Sequence, residues 1–182
     1  FTPLHGPCNH GCSQVVEELL GKDRTLSREE QTALHAAALD GQLKIAEILL
    51  LRGADVNARY GGDFLTMMRL SVGDGLFEEV CRDYPNWSDK GMAGFRHHLL
   101  LDSDTIRKLL RLIVLRETGF QSNDATALHF ACFTGQTGLA NFLLSKGASV
   151  NAVDAQGHTA LHLACAMHYC QAVKALLASG AD

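Results

Sequence analysis

One four-residue signature recurs along this chain and limits what the chain can fold into. Thr32-Ala33-Leu34-His35, Thr126-Ala127-Leu128-His129 and Thr159-Ala160-Leu161-His162 are copies of it, and Thr2-Pro3-Leu4-His5 is a fourth. The last two full copies are 33 residues apart, the first two 30, and the remaining gap is 94. Self-similarity at such a period marks an array of small structural units that bury their apolar faces against one another. The gap of 94 has room for two further units. One begins at Thr66-Met67-Met68-Arg69, with Asp74-Gly75 standing where its neighbour has Asp40-Gly41. The other is centred on Ala93-Gly94-Phe95-Arg96 with Ile106, Leu109 and Leu110. The expected division is therefore units at 1–30, 31–64, 65–91, 92–124, 125–157 and 158–182, the third and fourth degenerate and the last incomplete.

Within a clear unit, Thr32 caps a helix that Ala33-Leu34 enters. Ala36, Ala37 and Ala38 are small enough for neighbouring helices to approach, and Gly41 ends the helix in the left-handed conformation. Leu43, Ile45, Ala46, Ile48 and Leu49 have the spacing of a second amphipathic helix, stopped by Gly53. The run Ala54-Asp55-Val56-Asn57-Ala58 then leads to a turn, as Ala148-Ser149-Val150-Asn151-Ala152 does after Gly147. This order, Thr-Ala-Leu-His, then small residues, then glycine, then Leu-Leu-x-x-Gly-Ala-Asp-Val-Asn, resembles the ankyrin repeat. The resemblance implies an all-α fold, an ankyrin-repeat solenoid of helix-turn-helix units joined by short β-hairpin-like fingers.

The resemblance also implies a function: a concave face of finger tips and first helices that binds another protein or another domain of the same chain. The family's variable contact positions fall here on Leu39 and Asp40 in the second unit and on Phe133 and Thr134 in the fifth. In the sixth they fall on Ala155, Gln156, His158, Ala166 and Met167. Leu39, Phe133 and Met167 are apolar residues where the core makes no demand, so they are expected as interface anchors. No catalysis and no cofactor are expected. The rival reading is a regulatory or autoinhibitory segment of a larger multidomain enzyme or sensor.

Composition narrows the other classes. The chain is 47% hydrophobic and 20% charged with a net charge of −4, and like charges form no long run, so no nucleic-acid surface is expected. Arg107, Lys108, Arg111 and Arg116 form a basic stripe, which reads as a solvated helix face. The longest aliphatic segment, Leu109 to Leu115, is interrupted by Arg111 and falls well short of the roughly 20 residues of a spanning helix. Six cysteines in 182 residues are too sparse for a disulfide framework, so reduced thiols in an intracellular monomer, cytoplasmic or nuclear, are expected. The chain opens at Phe1 with no leader and stops at Gly180-Ala181-Asp182 before its Val-Asn, which reads as part of a longer protein.

Two patterns compete with this reading. His5, Cys8, His10 and Cys12 place four potential zinc ligands within eight residues. Cys8, however, aligns with Ala38, Cys132 and Cys165, and His5 aligns with the other signature histidines, so the repeat register already accounts for two of the four and no metal is expected. The recurring histidines have no nucleophile or carboxylate recurring beside them, which points to structural imidazoles rather than catalytic ones. Pro7 stands where alanine is usual inside the first helix, so the first unit should be distorted.

The weakest stretch follows from the same register. Residues 65–122 lack the signature and the Gly-Ala-Asp-Val-Asn finger, and nearest-neighbour coupling should be poorest there, so that the flanking units uncouple and unfolding is not two-state. Amide hydrogen exchange should be fastest across Gly73 to Arg96, where Gly73, Gly75, Pro85, Gly91 and Gly94 interrupt helix, and slower across Thr126 to Leu144. Uniform protection through both regions would show the middle to be properly packed repeats.

Overall fold

The computed structural model describes residues 3–4, 7–8, 10–21, 26, 32–61 and 123–182. The described residues hold seven helices: α1 Ser13–Leu20, α2 Ala33–Asp40, α3 Leu43–Leu51, α4 Ala127–Phe133, α5 Thr137–Ser145, α6 Ala160–Ala166 and α7 Cys170–Ala178. Helices α2 and α3, α4 and α5, and α6 and α7 form antiparallel-type hairpins, each a short first helix and a longer second. The all-α architecture of repeated helix-turn-helix units is as the sequence predicts.

The reason for each short first helix is visible at its ends. Thr126 and Thr159 have extended backbones and form capping boxes, in which the threonine side chain takes the N3 backbone N–H and the N3 histidine serves the cap's own N–H. Thr32 differs: its backbone is already helical, at φ −70° and ψ −13°, so that box does not recur in the second unit. At the other end Gly41 and Gly135 adopt φ of 72° and 73°. A Cβ on Gly41 would stand 2.4 Å from the Gln136 side chain and one on Gly135 2.7 Å from the Tyr169 ring; the left-handed turn requires glycine at both, and the Tyr169 ring adds to the demand at Gly135.

Burial follows the same register. Ala33, Leu34, Ala36, Ala37 and Ala38 in α2 and Ala127, Leu128, Phe130, Ala131 and Cys132 in α4 are enclosed, and Ile45, Ala46, Leu49, Leu139, Ala140, Leu143, Ala172 and Leu176 come in from the second helices. Each second helix then ends the same way: Ala54, Ala148 and Ala181 donate their amides to the carbonyls of Leu49, Leu143 and Leu176 at 3.0 Å.

The order of stacking is a finding that sequence spacing did not anticipate. Helix α2 packs directly on α4, although 94 residues separate their capping threonines. The units expected at 65–91 and 92–124 lie outside the described residues apart from Asn123 and Asp124. The expected separation of the second and fifth units is nevertheless replaced by contact, because their faces fit. His35, Tyr60 and Phe130 cluster with ring centroids 5.5 to 5.6 Å apart, the Tyr60 and Phe130 planes at 90°. Asn57 spans the same joint, donating from Nδ2 to the Gly147 carbonyl at 3.2 Å and accepting the Ser149 amide at 2.8 Å. Asn151 repeats the device, donating to the Gly180 carbonyl at 3.4 Å and accepting the Asp182 amide at 3.1 Å.

Leu49 and Leu143 are fully buried on equivalent second helices. Leu49→Ala and Leu143→Ala should each cost about 2–5 kcal/mol, read as a lowered urea midpoint. Near-neutral effects at both would mean that these leucines do not carry the hairpin cores.

Candidate binding surface

The signature side chains are spent on holding the stack together. In α4, the Thr126 amide donates to His129 Nδ1 at 3.1 Å, which fixes the imidazole with its proton on Nε2; that N–H donates to the His158 carbonyl at 3.1 Å in the next finger. His35 Nε2 likewise donates to the Ala58 carbonyl at 2.9 Å. Burial, the largest influence, holds the His129 pKa below the ordinary histidine value. These imidazoles are structural, as the sequence reading expects.

The finger between the fifth and sixth units is shaped by Asp154. Its Oδ1 accepts the amides of Gln156 and His158 at 2.9 and 2.8 Å, and its Oδ2 lies 3.2 Å from His158 Nδ1. The Asp154 amide donates to the His158 carbonyl, and Val153 and Thr159 form an antiparallel bridge across the turn. Arg59 reaches over from the preceding finger and donates to the Val153 carbonyl at 2.8 Å. The tip that results presents Ala155 and Gln156 to solvent, with His158 half-buried.

The residues expected at the contact surface divide. Ala155, Gln156 and Ala166 are exposed, and Asp40, His158 and Met167 are half-buried. Leu39 and Phe133 are only 1% exposed and Thr134 3%, so two of the three apolar side chains expected as anchors are not on a free surface. A leucine or phenylalanine gains about 1.5–3 kcal/mol from being covered, which favours their enclosure over a free surface. Thr134 is occupied as well: its hydroxyl donates to the Phe130 carbonyl at 2.9 Å.

Sequence reasoning also missed residues. Val153 is 42% exposed on the finger, and His162 and Cys165 are exposed in α6 although the equivalent His129 and Cys132 in α4 are buried. Val153 faces Thr159 across the bridge of this turn, and only the fold, not its neighbours in sequence, shows its side chain to be outward. The His158 and His162 rings lie 6.2 Å apart, so finger and helix meet there.

The cysteine and histidine cluster near the start is only partly placed. His5 lies outside the described residues. Cys8 is fully buried, and burial pushes its thiol up to about 12, as it does that of Cys132. Cys12 is exposed, with its thiol 3.9 Å from the His10 carbonyl. The five described cysteines are all free thiols, and no described helix is long and apolar enough to cross a membrane.

Residues 1–60 and 99–182 match the family described as ankyrin repeats, in three copies. Among curated proteins the chain is 28% identical over 178 residues to ankyrin repeat and SOCS box protein 16 of Homo sapiens, covering 88% of this chain and 39% of that protein. It is 29% identical to the NAD-dependent deacetylase sir2B of Dictyostelium discoideum, covering 89% of this chain and 23% of that one. It is 29% identical to palmitoyltransferase AKR1 of Saccharomyces cerevisiae, covering 100% of this chain and 26% of that one. The chain thus spans less than half the length of each of these relatives. Ankyrin repeats generally mediate protein–protein contacts.

The neutral imidazole at His129 sets a pH dependence. Its folded pKa lies below the unfolded value of about 6.5, so the unfolded chain takes up a proton first as pH falls. Stability should be fully present above about pH 6.5 and decline below it, seen as a lower urea midpoint at pH 5.5 than at 7.5. In His129→Gln that difference should shrink; an unchanged pH slope would exclude His129 as a source of it.

Proposed function

We propose that this chain, which belongs to the ankyrin-repeat family, is a non-catalytic scaffold that binds another protein through the finger between its fifth and sixth units and the C-terminal turn of α6. One observation carries this reading. His35, His129, Asn57 and Asn151 are engaged within the stack, and Val153, Ala155, Gln156, His162 and Ala166 are exposed together with half-buried Met167. That set mixes apolar atoms with amide and imidazole groups on a rigid support, the composition from which interfaces without strong charge are built. An intracellular setting is part of the proposal, since exposed Cys12, Cys165 and Cys170 remain thiols.

A second reading is favoured by the relatives. The palmitoyltransferase and the deacetylase each align with this chain over about a quarter of their length, which suits an array that docks on another domain of its own chain. The same face serves both readings, and only the connectivity of the partner differs.

A photo-crosslinking residue placed at Gln156 or Ala166, in the natural full-length protein in cells, tests both. Adducts should form from these positions and not from Glu47, exposed on α3. Adducts to a separate protein support the scaffold, and adducts within one chain support the regulatory segment. Adducts from Glu47 alone would refute the proposed face.

A further inference from the structure

The finger that joins the second unit to the fifth is interrupted, and its interruption can be located to a single peptide position. In the complete finger, the Asp154 amide donates to the His158 carbonyl at 2.9 Å and the Gly157 amide to the Asp154 carbonyl at 3.1 Å. In the other, the Tyr60 amide donates to the Ala125 carbonyl at 2.9 Å and the Asp124 amide to the Tyr60 carbonyl at 2.8 Å. The two patterns are the same, with Tyr60 for Asp154, Asp124 for Gly157 and Ala125 for His158. Even the left-handed residue is shared, Asp124 at φ 62° standing where Gly157 has 82°. Gly61 therefore corresponds to Ala155 and Asn123 to Gln156, which are chain neighbours in the complete finger. Between Gly61 and Asn123 lie the 61 residues 62–122.

Spacing agrees without reference to any contact. Thr32 and Thr126 are 94 residues apart, and 94 less those 61 is 33, the separation of Thr126 and Thr159. From these two observations we infer that residues 62–122 are an insertion into the tip of one finger. The surfaces on either side of it, up to Gly61 and from Asn123, are mutual partners in one continuous repeat stack that needs no covalent path through the inserted residues.

The interface between the two halves is that of consecutive repeats. It contains the His35, Tyr60 and Phe130 rings, the Asn57 clamp on Gly147 and Ser149, the Arg59 bond to the Val153 carbonyl, and the approach of Gln136 to Gly41. Two of these recur between the fifth and sixth units, in the Asn151 clamp and the approach of Tyr169 to Gly135. The family match extends over 99–122 as well, so removal of those residues separates an insertion from a repeat that the stack requires.

Two measurements test the inference. In the full chain, a double-mutant cycle on Tyr60→Ala and Phe130→Ala should be non-additive, the pair losing less in urea midpoint than the sum of the two singles, because the rings touch. Additivity would overturn direct stacking. Second, residues 62–122 are deleted, with Gly61 joined to Asn123 directly in one variant and through two added glycines in another. At least one should unfold cooperatively with a helical far-ultraviolet spectrum, and Asn57→Ala should lower its midpoint as it does in the full chain. If neither variant folds, the residues removed are part of the stack and the inference is wrong.

Discussion

A helical hairpin of about twenty residues has no interior of its own, and the described hairpins of this chain answer to that. Its apolar face is covered only when another hairpin lies against it. The first helices carry alanine or cysteine where the neighbour comes closest, and the turns carry Gly41 and Gly135 where Gln136 and Tyr169 press in. Hydrogen bonds then set the phase of the contact. A histidine reaches forward from a first helix to a backbone carbonyl of the next finger, and an asparagine reaches forward from the finger to the next helix end. Apolar burial holds hairpins together without choosing a register; these directed bonds choose it.

This division of labour explains what could be read from the sequence. The signature Thr-Ala-Leu-His, the glycines after each helix and the Leu-Leu pairs are local in their physics, so the helices of the second, fifth and sixth units fall where the spacing places them. The cap at Thr32 departs from its copies although its four signature residues match those of the fifth unit, because a cap's backbone angles also depend on what precedes it. The adjacency of α2 and α4 was not legible from an assumption that chain order and stacking order agree. It was latent in the spacing, since 94 is one period plus an excess, but the excess was long enough to be read as two more periods.

The site was legible in part for a related reason. Ala155, Gln156 and Ala166 stand where a variable surface position should stand. Leu39 and Phe133 share the register of Ala166 yet are enclosed, because register gives direction while burial depends on everything packed nearby. His162 is the converse case: the same residue type at the same register as His129, exposed in one hairpin and enclosed in the other. Repetition in sequence therefore gives identical roles only to positions whose neighbours are also repeated.

The asparagine clamps have a mechanical consequence. Asn57 and Asn151 each tie one finger to the far end of the following hairpin, so these bonds lie one after another along the same edge of the stack. A pull on the two ends of the stack would load them in series rather than side by side, and links in series give way singly, the weakest first. Such an edge extends in steps, shedding one hairpin at a time while the rest keep their shape, and behaves more like a spring with detents than like a rod.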